Sequence, residues 1–181
     1  MSKLYRLPDE FETVRYHLRR VKVEDAQVIF DSYATDAEVT RFLGWKPHRS
    51  IADTTAFLEI AAAEWDSGSG YPVVAFDILT RGFIGMFHPT VKGHKVTYGY
   101  VLQKSAWGQG CATEVMGWLV KHALNHPMIH RTEAFCDVDH LASARVMEKA
   151  GMDREGILRR YFGHPNISEV PRDCVIYSKV R

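Results

Sequence analysis

Cysteine is scarce in this sequence, with three residues among 181, at positions 111, 136 and 174. They are far apart and form no Cys-x-x-Cys pair, which argues against a disulfide framework and against a thiolate zinc site. None of the nine histidines belongs to a His-Glu-x-x-His motif, so we expect no metal at the functional site. The cysteines are predicted to be reduced thiols.

An excess of one charge and a long apolar run are also lacking. The 23 Lys and Arg residues balance the 22 Asp and Glu residues to a net charge of +1, so we expect no nucleic-acid partner. The longest apolar stretches, at 60–63 and 117–120, are far shorter than the ~20 residues that span a bilayer. Residues 1–10 lack the apolar core of a signal peptide. We therefore expect no membrane partner and a cytoplasmic location.

The composition that is present is that of an ordinary globular protein, 46% hydrophobic and 25% charged. A chain of 181 residues without internal repeats or low-complexity tracts predicts one domain over residues 1–181. At this size a fold buries about 70% of the surface that its unfolded chain exposes, so the core needs no metal or disulfide.

Hydrophobic periodicity predicts alternating strands and helices along the whole chain. Because the strongest helical stripe, at 112–123, lies between two predicted strands, those two strands should be parallel. The remaining strands form a meander and a terminal hairpin, which predicts an α/β fold with a central, mostly antiparallel mixed sheet flanked by helices. Helices are predicted at 24–33, 39–43 (one turn), 51–67, 112–123 and 142–150, strands at 14–18, 71–79, 83–88, 96–102, 132–138, 157–162 and 174–180, and loops at 80–82 and 89–94.

The most informative segment is the glycine-rich stretch at 107–114, between a predicted strand and the strongest predicted helix. Glycine lets the backbone turn tightly, and the first amides of a helix form a site for a phosphate group. The segment is neither a Walker loop nor a dinucleotide fingerprint, because no Gly-Lys-Ser/Thr follows and Thr113 stands where a third glycine would. The pattern therefore predicts either an anion-binding turn or a plain glycine-rich loop.

Three segments together resemble the GNAT superfamily of acyl-CoA N-acetyltransferases, and within it the RimJ/RimL branch that acetylates the N-termini of ribosomal proteins. They are Tyr-Gly-Tyr-Val-Leu at 98–102, Trp-Gly-Gln-Gly-Cys-Ala-Thr-Glu at 107–114, and Ala-Ser-Ala-Arg-Val-Met-Glu-Lys-Ala-Gly-Met at 142–152. The first strand and the 41–45 segment are similar to the same branch, so the resemblance covers nearly the whole chain. It implies a GNAT-like fold.

The resemblance also implies a site for acetyl-CoA as cosubstrate, with no metal. In that family the glycine-containing turn and the next helix bind the CoA pyrophosphate through backbone amides, and pantetheine lies along the preceding strand. Carried over to this sequence, the implied cosubstrate-binding residues are Trp107, Gly108, Gln109, Gly110, Cys111, Ala112 and Thr113 at the turn and Tyr100, Val101 and Leu102 on the strand. Cys111 is interpreted as a small packing residue, since the family transfers the acyl group directly.

Several positions depart from the family pattern. His140 stands where an asparagine often contacts pantetheine, and an imidazole can still donate or accept a hydrogen bond there. Met147 replaces a tyrosine that protonates the leaving thiolate in many relatives, which leaves Ser143 as the implied catalytic acid. The alternative is that Ser143 only caps or packs its helix. Thr97 replaces a carboxylate near the central strand.

The general base is consequently open. His88, Asp137, Asp139 and His164 are candidates from their predicted places at strand ends and in loops, and each also fits an ordinary structural role.

The acceptor is predicted to be a primary amine, either a peptide N-terminus or a small molecule. The motifs show no acidic cluster for a polycation, which favours a peptide or a neutral amine. A non-catalytic acyl-CoA binding or sensing module is the alternative, and a homodimer is compatible with the family. Two predicted acceptor walls, whose aromatic members also fit the core, are Tyr33, Phe42, Trp45, His48 and Arg49, and Arg159, Arg160, Tyr161 and His164.

Overall fold

The computed structural model describes residues 4–181. Eight strands and four α-helices follow one another along the chain. Short 3-10 turns at Val23–Asp25 and Lys104–Ala106 and a π-turn at Phe30–Ala34 accompany them. The elements are β1 (Glu10–Glu12), β2 (Tyr16–Arg20), α1 (Ala26–Ile29), α2 (Ile51–Ser67), β3 (Val73–Asp77), β4 (Phe83–Lys92), β5 (Lys95–Leu102), α3 (Cys111–Leu124), β6 (Arg131–Asp137), α4 (Leu141–Lys149), β7 (Asp153–Phe162) and β8 (Arg172–Val180).

The strands form one mixed sheet in the order β1-β2-β3-β4-β5-β6-β8-β7. Every neighbouring pair is antiparallel except β5 and β6, which the α3 crossover makes parallel. The predicted mixed sheet with helices on its faces is thereby confirmed, as is the parallel pair around the strongest helical stripe.

The helices cover opposite faces of this sheet. On the α1/α2 face, Leu58 of α2 packs in one cluster with Val74 and Met86. On the α3/α4 face, Met116 of α3 and Met147 of α4 pack in the other cluster. Alternation of side chains along β3 and β4 supplies both clusters, since successive residues of a strand point to opposite faces.

Helix α2 begins and ends where its sequence signals predict. Ser50 lies just before the helix, where its side chain and that of Asp53 form a reciprocal capping box. Gly68 follows the last helical residue and adopts the left-handed conformation, with φ of 73°. Its N–H donates a hydrogen bond to the Glu64 carbonyl.

Two predictions in the N-terminal part are wrong. The first strand begins at Tyr16 instead of Val14, because residues 13–15 form the turn of a β1–β2 hairpin that the sequence did not predict. The helical turn predicted at 39–43 is a series of turns and bends. In a helix, the Thr40 carbonyl would accept from the Gly44 N–H. Here it accepts from the side-chain amide of the distant Asn166.

The loop predicted at 89–94 is also wrong, since β4 continues through Pro89 to Lys92 and only Gly93 and His94 form the turn. The Pro89 carbonyl accepts from the Tyr71 N–H, on the side of the strand away from β5. Its nitrogen lies on that same side, so the missing N–H costs no hydrogen bond to β5.

Within residues 4–181, no helix has the length and apolar character needed to span a membrane.

Candidate active site

The sheet opens between β5 and β6. These two strands pair only from Lys95 with Arg131 to Thr97 with Glu133. Beyond Thr97, β5 continues alongside β4 and β6 continues alongside β8, which leaves a gap between two central strands.

Backbone groups of β5 point into this gap. The Gln103 N–H donates to the Ile84 carbonyl on β4 at 3.0 Å. Since N–H and C=O directions alternate along a strand, those of Leu102 and Tyr100 point away from β4, toward the gap. The Leu102 carbonyl accepts from the Trp107 indole N–H at 3.1 Å. An extended ligand could hydrogen-bond to the Tyr100 backbone as an added strand would.

The glycine-rich turn lies at the end of β5 and leads into α3. Gly108 and Gly110 have φ of 73° and 79°, values that other residues rarely adopt. The Gly110 carbonyl accepts from the Glu114 N–H, so the preceding amides of α3 have no acceptor within the helix. These free amides and the positive end of a 14-residue helix form a site suited to a phosphate.

Arg15 and Glu114 tie the turn to the β1–β2 hairpin. One Glu114 oxygen accepts from the Thr13 hydroxyl at 2.7 Å and the Arg15 N–H at 2.8 Å, and the other accepts from Arg15 Nε at 2.7 Å. Arg15 also donates to the Gln109 carbonyl at 3.0 Å. Burial raises the pKa of Glu114, but the hydrogen bonds from Thr13 and Arg15 outweigh it and hold that pKa below its usual value.

We expect Glu114→Gln to lower the free energy of unfolding by about 2 kcal/mol at neutral pH, because a neutral amide takes the place of the carboxylate that accepts three charge-assisted hydrogen bonds. A carboxylate whose pKa is depressed on folding stabilises above its unfolded pKa, and that contribution is lost as pH falls through the folded pKa. Urea unfolding at neutral pH and at about pH 3 should therefore show a difference that shrinks in acid. Glu59→Gln, at an exposed position of α2, is the control, and an equal effect would contradict the role of Glu114.

A cavity of about 370 Å³ joins the turn, the gap and α4. It brings together the implied catalytic acid and all the implied cosubstrate-binding residues except Gln109, whose side chain donates to the Ser105 carbonyl. Arg145 and Lys149 of α4 add positive charge to its wall, which complements phosphate. The predicted residues that line it are Tyr100, Val101, Leu102, Trp107, Gly108, Gly110, Cys111, Ala112, Thr113, His140 and Ser143.

Two hydroxyls meet in the cavity wall. The Tyr100 hydroxyl and Ser143 Oγ are 2.7 Å apart and share a hydrogen bond, although the residues lie 43 positions apart in sequence. Burial raises the pKa of Tyr100 above its usual value, and the Ser143 contact opposes that rise only in part. Tyr100 therefore stays protonated, and the pair can pass one proton to a group in the cavity.

His140 precedes α4, and its ring stacks on Phe42 with centroids 4.3 Å apart. Burial lowers the pKa of His140 to about 4, while the nearby charge of Asp137 acts in the opposite direction. The imidazole is consequently neutral at physiological pH and can donate one hydrogen bond and accept another.

Two other positions carry no proton chemistry. Met147 is fully buried in the core beneath α4. Burial raises the pKa of Cys111 to about 12, and its contact with Tyr16 opposes that rise. A thiol that stays protonated is a poor nucleophile, so the structure agrees with the packing interpretation of Cys111.

Three of the four candidate bases are engaged elsewhere. Asp137 is fully buried and accepts from Arg172 Nε at 2.6 Å. Burial raises its pKa, but the Arg172 hydrogen bonds outweigh it and keep that pKa low. Asp139 accepts from the same guanidinium, and His164 is 2% exposed with Nε2 3.6 Å from Asp137. His88 lies on β4, where its Nε2 contacts Glu64 of α2.

The predicted acceptor walls are present only in part. The Trp45 and His48 rings are in contact near the start of α2, tilted by 37° with centroids 4.8 Å apart. Tyr33 is 2% exposed and packs in the α1/α2 core cluster, so its place in a wall is wrong. On the other side, Tyr161 is 49% exposed and its ring meets Phe135 edge-on. The remaining predicted wall residues fall into buried His164, partly buried Phe42, and exposed Arg49, Arg159 and Arg160.

Asn166, in the loop between β7 and β8, connects the two walls. Its side-chain amide donates to the carbonyls of Thr40 at 2.7 Å and Trp45 at 2.8 Å. Phe162, at the end of β7, lies against Gly44 of the same segment.

Comparison with known families agrees with this geometry. Residues 15–153, well over half of the chain, match the family described as an acetyltransferase (GNAT) domain. The chain belongs to the GNAT acetyltransferase family. It is 30% identical over 173 residues to the uncharacterised N-acetyltransferase YoaA of Bacillus subtilis, covering 94% of this chain and 96% of that one.

Solved structures of other GNAT proteins share the fold. RimL, a ribosomal L7/L12 alpha-N-protein acetyltransferase in complex with coenzyme A, superposes with a TM-score of 0.82 at 18% identity, covering 93% of this chain and 95% of that chain. The microcin C7 self-immunity acetyltransferase MccE, in complex with acetyl-CoA and AMP, superposes with a TM-score of 0.84 at 19% identity, covering 97% and 98%. The GNAT fold predicted from the three sequence segments is confirmed.

Sequence reasoning named His88 as a candidate base but missed its pairing with Glu64 and the pairing of Arg15 with Glu114. Arg15 and Glu114 are 99 positions apart, and His88 and Glu64 are 24 apart. Their charges alone could have suggested ion pairs, but no spacing rule relates residues on separate elements.

Proposed function

We propose that this GNAT protein transfers an acetyl group from acetyl-CoA directly to a primary amine. The observation that carries the proposal is the joining of the β5–β6 gap to the amide-lined turn of α3 in one cavity. A thioester placed in the gap is close to an anion site suited to the CoA pyrophosphate.

The chain's own residues suit each part of this reaction. The turn amides would hold the pyrophosphate, and the β5 backbone would hydrogen-bond pantetheine. A backbone amide of Tyr100 or Leu102 can polarise the thioester carbonyl as negative charge develops on its oxygen. The Tyr100–Ser143 pair can donate the proton that the leaving thiolate needs. Holding amine and thioester together can contribute about 7 to 11 kcal/mol, more than a single acid or base provides.

For the acceptor, we favour a peptide α-amine over a lysine side chain. An α-amine has a pKa of ~7.7 to 8.0 against ~10.4 for lysine, so more of it is unprotonated at neutral pH. The exposed ring of Tyr161 and the Trp45–His48 pair offer apolar contacts for a peptide. RimL, described as acting on a ribosomal protein, shares the fold.

A mass-spectrometric assay tests the proposed function. Purified protein is incubated with acetyl-CoA and a panel of N-terminal peptides, polyamines, aminoglycosides and amino acids, while CoA binding is measured separately by calorimetry. Acetylated peptide is the expected product, and an acetylated small amine would correct the acceptor class. CoA binding with no acetylated product across the panel would instead support the acyl-CoA binding module.

Ser143→Ala should lower kcat about 100-fold at neutral pH, because the leaving thiolate loses its proton donor. The dissociation constant for CoA should stay within about threefold, since the backbone sites are intact. Ser105→Ala, at an exposed hydroxyl beside the turn, is the matched control. An unchanged kcat for Ser143→Ala at every pH would assign Ser143 to packing alone.

A further inference from the structure

The α1/α2 face of the sheet carries a histidine–carboxylate pair beside the gap. His88 on β4 is the cross-strand partner of Gly99 on β5, and Met86 with Val101, two positions toward the glycine-rich turn, is the next pair on the same face. Met86 and Val101 both pack with the α1/α2 cluster, so His88, two residues from Met86, lies on the same face. Glu64 of α2 contacts its Nε2.

Gly99 leaves the space next to His88 open. A Cβ built on Gly99 would meet nothing within 4 Å, and the residue is exposed. Side chains of directly opposed residues start only about 5 Å apart, so the His88 ring adjoins that space. Because β5 has lost its pairing with β6 beyond Thr97, the same space borders the gap.

The cavity reaches this face, because Val101 on β5 is among its lining residues. The opposite face at this level is formed by α3 and α4, which carry the anion site and Ser143. With acetyl-CoA held there, an incoming amine would reach the thioester from the α1/α2 face, where His88 lies.

Glu64 orients the His88 ring. A carboxylate that contacts Nε2 favours the tautomer in which Nε2 carries the proton, and this leaves the lone pair on Nδ1. Across the described chain, no protein donor is recorded for His88 Nδ1, and the His88 side chain is 25% exposed. The arrangement is that of a base held by a carboxylate behind it.

Other groups on this face are less suited to accept a proton. The Thr97 hydroxyl donates to Glu133, and Lys95 and Arg131 also bind that carboxylate, at 2.7 Å and 2.8 Å. Burial raises the pKa of Glu133, but these contacts outweigh it and hold that pKa below its usual value.

We propose that His88 accepts the proton of the acceptor amine and that Glu64 is its positioning residue. The inference rests on the proposed acetyl transfer and deepens it. The amine nitrogen forms a bond to the thioester carbonyl carbon, and its proton passes to His88 Nδ1 directly or through one water. When the C–S bond breaks, the thiolate takes a proton from the Ser143–Tyr100 pair. The products are an amide and a free thiol; His88 has gained the amine proton and the Ser143–Tyr100 pair has lost one. His88 then releases its proton to water and the pair takes one back from water, so the net reaction moves no proton to the protein.

His88→Gln tests the proposal, since glutamine keeps a polar side chain of similar length but cannot act as a base at neutral pH. At saturating amine and acetyl-CoA, kcat should fall about 100-fold or more. The KM for acetyl-CoA should stay unchanged. His17→Gln is the matched control, because His17 also pairs with a glutamate, Glu12 on β1, and is 27% exposed, yet lies on β2.

Glu64→Gln provides a second variant with a different signature. Glu64 is the charged group in contact with His88. The Phe57 ring of α2 also lies near His88, and the residue opposite His88 on β5 is Gly99. Without the carboxylate, the ring loses the partner that fixes its tautomer, so kcat should fall about tenfold while the KM for acetyl-CoA stays unchanged. A merely structural role for Glu64 would lower the melting temperature and leave kcat unchanged.

The outcomes separate the two proposals. If the unaltered protein binds CoA but acetylates nothing, the proposed function fails and the role of His88 fails with it. If the unaltered protein is active and both variants keep its kcat, only the role of His88 is overturned. Should His88→Gln fail to fold, as judged by its melting curve, the kcat and the KM for acetyl-CoA of Glu64→Gln decide.

Discussion

Replacing Gly110 with aspartate should weaken CoA binding about 100-fold, equivalent to about 2.7 kcal/mol. Gly110 precedes α3 with φ of 79°, and its neighbouring amides form the proposed pyrophosphate site. An aspartate places a negative charge where the phosphates would lie, and like charges repel strongly so close to each other. It would also compete with Glu114 for Arg15, whose Nη2 lies 3.4 Å from the position of a Cβ on Gly110.

Gly110→Asn is the control for this experiment. Asparagine has nearly the shape of aspartate and tolerates the left-handed region, but it carries no charge. We expect its CoA affinity to stay within about tenfold of the unaltered protein, measured by calorimetry in the same buffer. Unchanged affinity in folded Gly110→Asp would remove the turn as the pyrophosphate site, whereas equal weakening by both variants would assign the loss to the backbone of the turn and not to charge.

Gly85→Ala should lower the free energy of unfolding by about 3 kcal/mol, because the new methyl group has no room. A Cβ on Gly85 would lie 2.2 Å from the Val101 carbonyl oxygen and 2.8 Å from Leu102 Cα, both backbone atoms of β5. Rigid backbone cannot rotate away as a side chain can. For a chain of this size the melting temperature should fall by about 10 °C, as measured by circular dichroism.

Gly99→Ala is the matched variant on the neighbouring strand, where an added Cβ would meet nothing within 4 Å. We expect its melting temperature to change little or to rise slightly, since alanine reduces the entropy of the unfolded chain. Equal melting temperatures for the two alanine variants would contradict the close approach of β4 and β5 at Gly85.

Local signals predicted the parts of this fold that depend on neighbouring residues. The Ser50 cap and the helix that follows, the stripe of α3, and the tight turn at Gly108 and Gly110 were all readable, because each rests on residues within a few positions. The order of these elements then predicted the crossover, and the resemblance of three segments to the GNAT superfamily predicted the family.

Pairings between distant segments could not be predicted in the same way. Proline typically interrupts a strand, yet Pro89 is tolerated because its nitrogen points away from β5, so no hydrogen bond to β5 is lost. The 39–43 segment has helical spacing but gives up a carbonyl to Asn166, 126 positions away from Thr40. The Tyr100–Ser143 contact likewise forms only when β5 and α4 come together.

Asn166 links the two segments that form the proposed acceptor walls. Because one amide group serves the carbonyls of both Thr40 and Trp45, the loop at 163–171 and the segment at 39–49 keep their shapes together. Grafting one of them from a relative without the other would remove the Asn166 hydrogen bond from both carbonyls, leaving the Thr40 carbonyl with only the Leu43 N–H as donor. Redesign of the acceptor preference therefore calls for paired replacement of both segments, transferred as one cassette.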